Sequence, residues 1–184
     1  MFKRKLGFSD LELTTGGFGA WAVGGGNWDW GWGGQDDHES IEAIHKALDL
    51  GINWIDTAPA YGLGHSEEMV GKAIKGKRDQ VIIATKCSLG WEGRTDGTVG
   101  HRLKAWSVRK ESEDSLRRLG VDVIDLYQVH WPNPDEEIEE GWAEIARLIE
   151  EGKIRYGGVS NFSPAQIERV QKIHPVASAQ PEYS

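Results

Sequence analysis

Four polar side chains carry the chemistry that this sequence could perform: Asp56, Tyr61, Lys86 and His130. A tyrosine with its ordinary pKa of about 10 is a poor proton donor at neutral pH unless a nearby positive charge favours its ionised form. Lys86 would supply that charge, and Asp56 would keep Lys86 protonated. His130 would donate a hydrogen bond to a substrate oxygen or share in relaying the proton. Together these residue types indicate a site that polarises a carbonyl group.

Three of the four side chains end apolar stretches that are typical of strands. Asp56 closes residues 52–56, Lys86 closes 81–86 and His130 closes 123–130. If these strands are parallel neighbours, their carboxyl ends lie about 4.8 Å apart per step, so the side chains meet at one rim. Taken singly, each residue also has a structural interpretation, such as an ion pair or a buried histidine. Four suitable residue types at one rim favour a shared site.

The chain alternates strand-like and helix-like patterns throughout. A short hairpin is predicted over 3–14, and six strand-helix units follow it, which implies a parallel sheet that is either doubly wound or a barrel. We predict a first helix capped by Asp37, and a helix from about Ser107 with Glu113 and Asp114 four residues before two arginines. Further strands are expected at 17–20, 154–159 and 176–180, with a helix opened by Ser163 and Pro164.

Composition limits the function classes. The chain has 184 residues, a formal net charge of -8 and a pI near 5.3, which argues against a nucleic-acid-binding surface. The chain has one cysteine, Cys87, so it cannot form an internal disulfide, which is consistent with a reducing compartment. We predict that Cys87 is a small buried apolar residue. The sequence shows no export signal and no apolar stretch near the roughly 20 residues of a membrane span, so a cytoplasmic location is expected.

The ordered motifs of this chain resemble those of the aldo-keto reductase family. The resemblance covers nearly the whole sequence and is carried by these segments: Gly17-Phe18-Gly19-Ala20-Trp21, Asp56-Thr57-Ala58-Pro59-Ala60-Tyr61-Gly62, Ala84-Thr85-Lys86, His130-Trp131-Pro132, Gly152-Lys153-Ile154-Arg155 and Gly157 to Phe162. The resemblance implies a (β/α)₈ TIM barrel that reduces aldehydes and ketones with NADPH and without a metal. NAD is not excluded as the cofactor.

The resemblance also implies residue roles. Tyr61 would be the general acid, tuned by Lys86 and Asp56, and His130 would orient the carbonyl group. The nicotinamide carboxamide would be held by three further side chains: Ser160, Asn161 and Gln180. Two tryptophans, Trp21 and Trp131, match family positions that line the substrate pocket, where flat apolar walls favour aromatic or aliphatic carbonyl compounds.

The other tryptophans have different expected roles. Trp54, Trp106 and Trp142 are predicted to be structural. Trp28, Trp30 and Trp32 lie in a glycine-rich loop that would either cover the mouth of the site as a lid or form a contact surface.

A single barrel-like domain over 1–184 is expected, without the last strand-helix units of the family and without its clamp for the adenosine phosphate. The two unclosed sheet edges would invite self-association. Three functional alternatives follow: a reductase, a regulatory NADPH-binding protein similar to the family's channel β subunits, or an inactive fragment. The physiological substrate and the oligomeric state are not fixed by these patterns.

Overall fold

A computed structural model describes residues 1–26, 28–91 and 98–182. An antiparallel hairpin, β1 (Lys3–Lys5) and β2 (Glu12–Thr14), opens the chain as predicted. The Asn53 side chain fixes this hairpin to the end of the following sheet, since it accepts from the Thr14 N–H at 2.8 Å and donates to the Glu12 carbonyl at 2.7 Å. The hairpin therefore lies at the amino end of the sheet, away from the predicted rim.

The centre of the molecule is a sheet of six parallel strands. In chain order the remaining strands are β3 (Phe18–Gly19), β4 (Trp54–Asp56), β5 (Ile82–Cys87), β6 (Leu89–Gly90), β7 (Gly100–His101), β8 (Ile124–Val129), β9 (Ile154–Ser160) and β10 (Ser178–Gln180). The sheet has the order β3-β4-β5-β8-β9-β10, whereas β6 and β7 form a small antiparallel pair beyond the carboxyl end of β5. The central strands are buried because helices cover one face.

Five α-helices connect the strands: α1 (Asp37–Asp49), α2 (His65–Ile74), α3 (Ala105–Leu119), α4 (Ile138–Glu150) and α5 (Pro164–Val170). Helix α5 begins with the predicted Ser-Pro pair, and Ser163 forms a reciprocal capping box with Gln166. Each crossover returns the chain to the same end of the sheet, so the carboxyl ends of all six strands point to one rim. No helix among the described residues is long and apolar enough to cross a membrane.

Several local predictions are wrong. Asp36, not Asp37, caps α1, because its side chain accepts from the Glu39 N–H at 2.9 Å. Helix α3 starts at Ala105, close to the predicted start at about Ser107. The expected pairs four residues apart in α3 are replaced by others, and Arg118 instead donates to the buried Glu67 of α2 at 2.6 Å. Asp114 bonds Lys110 and Arg117 within α3, whereas Arg118 and Glu113 have partners that lie far away in sequence.

The apolar core lies between the sheet and the helices. Trp142 of α4 is fully buried and its indole N–H donates to the His174 carbonyl at 3.0 Å. The Trp54 indole packs at the hairpin end and donates to the Thr14 carbonyl at 2.9 Å. Both are structural as predicted, but Trp106 is 57% exposed and lies against the Arg102 guanidinium. Cys87 is buried, and burial raises the pKa of its thiol well above the usual range.

Candidate active site

Lys86 and Asp56 form the centre of the site. Strands β4 and β5 are neighbours in the sheet, so both side chains point into the same end of its concave space. The Lys86 ammonium donates to both Asp56 carboxylate oxygens at 2.8 and 2.9 Å and to the Thr57 carbonyl at 2.9 Å. Lys86 is only 2% exposed, so these three acceptors replace its hydration.

Tyr61 reaches the same ammonium from the loop after β4. Its hydroxyl lies 3.2 Å from the Lys86 Nζ. The loop is held in place by a close backbone contact, because a side chain on Gly62 would meet the Gly24 carbonyl at 2.1 Å. Gly62 also has a φ of +65°, which favours glycine. The backbone around Tyr61 is therefore fixed by its contact with the glycine-rich segment.

The charges at this centre differ from the simple expectation. Burial raises the pKa of Tyr61, and the opposing effect of the Lys86 charge is smaller, so the net direction is upward. Burial by itself lowers the pKa of Lys86, but the attraction of Asp56 and Tyr61 outweighs it and the net pKa is raised. The prediction that Lys86 brings the Tyr61 pKa down is wrong as a net effect. At neutral pH the phenol is protonated and the lysine is charged.

His130 lies one residue beyond β8 and faces Tyr61. The two rings meet edge to face with centroids 5.8 Å apart. Burial, with the Lys86 charge as the second cause, lowers the pKa of His130 to about 3. The imidazole is therefore neutral at neutral pH, so it can donate from one nitrogen and accept at the other.

The predicted cofactor residues lie at the same rim, on the ends of β9 and β10. The Asn161 amide donates to the His130 carbonyl at 2.9 Å and to the Ser160 hydroxyl at 3.1 Å. The Gln180 amide approaches an Asp56 oxygen at 3.4 Å. The structure thus brings all seven predicted catalytic and cofactor positions into one connected group.

A cavity of about 650 Å³ opens beside Tyr61 and His130. Its walls include both predicted substrate residues, Trp21 and Trp131, which are 41% and 44% exposed. The Trp21 indole is stacked on the Tyr61 ring at 6.0 Å between centroids and 9° between planes. The cavity is therefore an aromatic pocket with Tyr61 in its wall.

The glycine-rich loop contributes more of this pocket than its sequence indicates. Trp28 is buried and lines the cavity with Trp30, whose carbonyl accepts from the Trp21 indole N–H at 2.9 Å. Trp32 is mostly exposed and packs on Trp21 at 5.7 Å between ring centroids. The loop is an aromatic wall in this structure, and whether it also moves as a lid stays a prediction.

Sequence reasoning missed several residues of the site. The cavity is also lined by Leu89, His101 and Asn133. The first two belong to the short β6-β7 pair, which no periodic pattern in the sequence predicts. It also missed the polar contacts behind the strands, where Thr57 bonds Ser66 and Thr85 bonds Glu67. Such contacts join residues whose sequence neighbours give no signal of burial.

The fold and site define a parallel-sheet protein in which a tyrosine hydroxyl lies beside a buried lysine at the carboxyl ends of the strands. The sequence model of the Aldo/keto reductase family matches residues 17–184. This chain belongs to that family.

Relatives and solved structures agree with this assignment. The chain is 49% identical to the aldo-keto reductase YhdN of Bacillus subtilis over 95% of its own length, and 40% identical over its full length to an Escherichia coli protein named NADH-specific methylglyoxal reductase. It spans 51% and 59% of these two proteins, which is about half their length.

Among solved structures, it matches a glycerol dehydrogenase from Gluconobacter oxydans with a TM-score of 0.87 at 45% identity, covering 97% of this chain and 54% of that one. A Klebsiella pneumoniae aldo-keto reductase in complex with NADPH matches with a TM-score of 0.80 at 29% identity, covering 100% of this chain and 59% of that one. The predicted fold, an incomplete (β/α)₈ barrel, is confirmed, and the described residues supply six of its parallel strands and five of its helices.

Proposed function

We propose that this chain carries the catalytic half of a nicotinamide-dependent reductase that converts aldehydes or ketones to alcohols, with Tyr61 as the general acid. The observation that carries the proposal is the position of the Lys86 ammonium, 3.2 Å from the Tyr61 hydroxyl and 2.8 Å from Asp56, at the end of an aromatic cavity. A proton donor backed by a buried charge suits reduction of a carbonyl group.

Tyr61 would give its hydroxyl proton to the carbonyl oxygen of the substrate. Its raised pKa keeps it protonated before the reaction, and the Lys86 charge stabilises the phenolate as the proton leaves. Asp56 keeps Lys86 charged and in place. Because the Lys86 and Tyr61 side chains are themselves buried, water screens the attraction between ammonium and phenolate only weakly.

His130 would orient the carbonyl oxygen. Its ring lies beside Tyr61, and its lowered pKa leaves a neutral donor that does not compete with Lys86 for the developing negative charge. The neutral state argues for hydrogen bonding by His130 and against its acting as a permanent positive charge.

Ser160, Asn161 and Gln180 would hold the nicotinamide carboxamide. A hydroxyl and two primary amides supply both donors and acceptors, which an amide ligand needs, and they lie next to His130 and Asp56. When bound, the reduced nicotinamide supplies hydride to the carbonyl carbon. We propose NADPH as the cofactor, in line with the NADPH complex of one structural relative, and test NADH beside it because another relative is named NADH-specific.

The substrate would be a small carbonyl compound with an apolar or aromatic substituent. Trp21 and Trp131 supply flat walls, and Trp28 closes the pocket behind Tyr61. We also propose that the chain acts as a single domain and in the cytoplasm, where nicotinamide cofactors and a reduced Cys87 are expected.

The test is a fluorescence titration of the purified chain with NADPH and NADH, followed by an assay of benzaldehyde and acetaldehyde reduction at pH 7. We expect binding and turnover in the native chain and normal cofactor binding without turnover in Tyr61→Phe, which keeps the ring and loses the proton. Reduction that survives Tyr61→Phe would show that the acid is misassigned.

Two other outcomes would favour the alternatives. Cofactor binding without turnover in the native chain would favour a regulatory NADPH-binding protein. A chain that neither binds the cofactor nor reduces an aldehyde would refute the proposal and favour an inactive fragment. Light scattering on the same sample tests self-association through the β3 and β10 edges.

A further inference from the structure

Two consecutive residues at the start of α2, Ser66 and Glu67, are completely buried behind the sheet. Neither touches the cavity, yet each is bonded to segments that carry the site. We propose that Ser66 and Glu67 are positioning residues, which hold the segments carrying Trp21, Asp56, Tyr61 and Lys86 in register with one another. The inference rests on the proposed function and extends it to residues that do not contact substrate or cofactor.

Ser66 joins three of these segments. Its hydroxyl donates to the Ala20 carbonyl, directly before Trp21, at 2.8 Å. Its single proton is used there, so the Thr57 hydroxyl donates to the Ser66 Oγ at 2.9 Å. The Ser66 N–H donates to the Tyr61 carbonyl at 3.2 Å. One serine therefore fixes the ends of β3 and β4 and the tyrosine loop.

Glu67 fixes the remaining segment. The Thr85 hydroxyl, directly before Lys86, donates to one Glu67 oxygen at 2.6 Å, and Arg118 of α3 donates to the other at 2.6 Å. The carboxylate is thus satisfied on both oxygens although it is fully buried. Removing one partner of such a group leaves a costly unmade hydrogen bond, which holds the arrangement in place.

The geometry of a strand makes this fixation direct. Successive side chains point to opposite faces, so Lys86 points to Tyr61 and Thr85 points to α2. Asp56 and Thr57 divide in the same way across the end of β4. A shift of the outer hydroxyl therefore moves the inner charged group through a single peptide link. A displacement of about 1 Å at a reacting group can lower the rate by roughly 10²-fold.

The experiment compares Ser66→Ala and Thr85→Val with a matched control. Ser115 in α3 is also fully buried, and its hydroxyl has no hydrogen-bond partner among the described residues. Ser115→Ala therefore makes the same chemical change as Ser66→Ala without breaking a bond. Thr85→Ser is the rescue variant, because it keeps the hydroxyl that Thr85→Val removes.

We expect Ser66→Ala and Thr85→Val to lower kcat by about tenfold or more, with the NADPH dissociation constant unchanged within about twofold. Ser115→Ala should keep kcat, and Thr85→Ser should restore most of it. If kcat in Ser66→Ala and Thr85→Val matches that of Ser115→Ala, or if Thr85→Ser is as impaired as Thr85→Val, the proposal is overturned. If neither Ser66→Ala nor Thr85→Val folds, the two residues are structural and the proposal is equally overturned.

A second measurement separates this inference from the proposed function. If the native chain shows no turnover, amide hydrogen exchange at Thr57, whose N–H donates to the Ala84 carbonyl at 2.9 Å, reports the positioning directly. Exchange should be about tenfold faster in Ser66→Ala and unchanged in Ser115→Ala. Equal exchange in the two variants would refute the positioning role even in an inactive chain.

Discussion

Replacing Asp56 by Asn should lower the pKa of the buried Lys86 and destabilise the fold at neutral pH. Asp56 accepts two hydrogen bonds from the Lys86 ammonium at 2.8 and 2.9 Å, and Asn has nearly the same shape without the charge. Burial is the largest single influence on the Lys86 pKa and acts downward, and Asp56 is the main influence against it. Without that charge, burial dominates and the pKa falls below its ordinary value.

The size of the effect follows from the free energy of removing the Lys86 proton. In the unfolded chain Lys86 has a pKa of about 10.4, so keeping it neutral at pH 7 costs about 1.4 kcal/mol for each of roughly 3.4 pH units. The ceiling is therefore about 5 kcal/mol of unfolding free energy. It agrees with the roughly 3–5 kcal/mol lost when one partner of a buried ion pair is removed.

The pH dependence has a definite sign. In the native chain the raised Lys86 pKa stabilises the fold fully below about pH 10, and this contribution is lost as pH rises through the folded value. In Asp56→Asn the folded pKa is below the unfolded one, so the unfolded state binds more protons and stability increases with pH up to about 10. The deficit of the variant relative to the native chain should therefore shrink from pH 7 to pH 10.

Urea unfolding at pH 7, 8, 9 and 10 measures this deficit. The control compares Lys86→Met with the double variant Lys86→Met, Asp56→Asn. Once the lysine is gone, Asp56→Asn should change the unfolding free energy by the same amount at every pH. A deficit that stays constant from pH 7 to 10 in the Asp56→Asn chain would refute the reasoning, because it would mean that Lys86 keeps its proton without its partner.

Three further outcomes are expected. Trp142→Ala should lower the unfolding free energy by about 3–5 kcal/mol in urea denaturation because the side chain is fully buried, whereas the exposed Trp106→Ala should change it by less than about 0.5 kcal/mol. On acidification from pH 6.5 to 4, His130→Gln should lose less unfolding free energy than the native chain, by no more than about 1.4 kcal/mol per pH unit. The reason is that the lowered His130 pKa makes the native fold, but not the unfolded chain, resist proton uptake in that range. Equal losses of unfolding free energy in the two proteins would contradict this. Trp21→Ala should raise KM for benzaldehyde by about tenfold and KM for acetaldehyde less, because the indole stacked near Tyr61 contacts only the larger substrate; equal effects would remove Trp21 from the pocket wall.

The sequence predicted the rim of this site well because simple periodic rules govern it. Asp56 and Lys86 end apolar runs and His130 follows one, and parallel strands bring such ends together whatever their separation along the chain. The types of these side chains then limited the predicted chemistry to a site that polarises a carbonyl group. The position of Tyr61 could be predicted only from its motif, because Tyr61 lies in a loop and periodic patterns do not predict where a loop residue lies.

The contacts behind the sheet could not be predicted in the same way. Glu67 lies in a helix with Glu68 beside it and reads as a solvated acidic first turn, but Arg118, 51 residues later, buries it. Trp106 reads as a core residue from its type alone, although its place near the start of α3 directs it outward. Glu67 is buried by a residue of another helix, and the exposure of Trp106 depends on how α3 packs, so only the folded structure shows either outcome.

Residues that line the cavity and residues that lie behind the strands have different roles, and this difference predicts which kinetic constant each substitution changes. Trp21, just beyond the end of β3, lines the space where substrate would lie, so its loss affects binding of a substrate that fills that space. Thr85 points behind the sheet, where its hydroxyl bonds Glu67 of α2, and it does not line the cavity, so its loss leaves the pocket walls intact and acts through the placement of Lys86. Placement of a charge matters most when the phenolate forms, so changes behind the strands should lower kcat with little effect on KM.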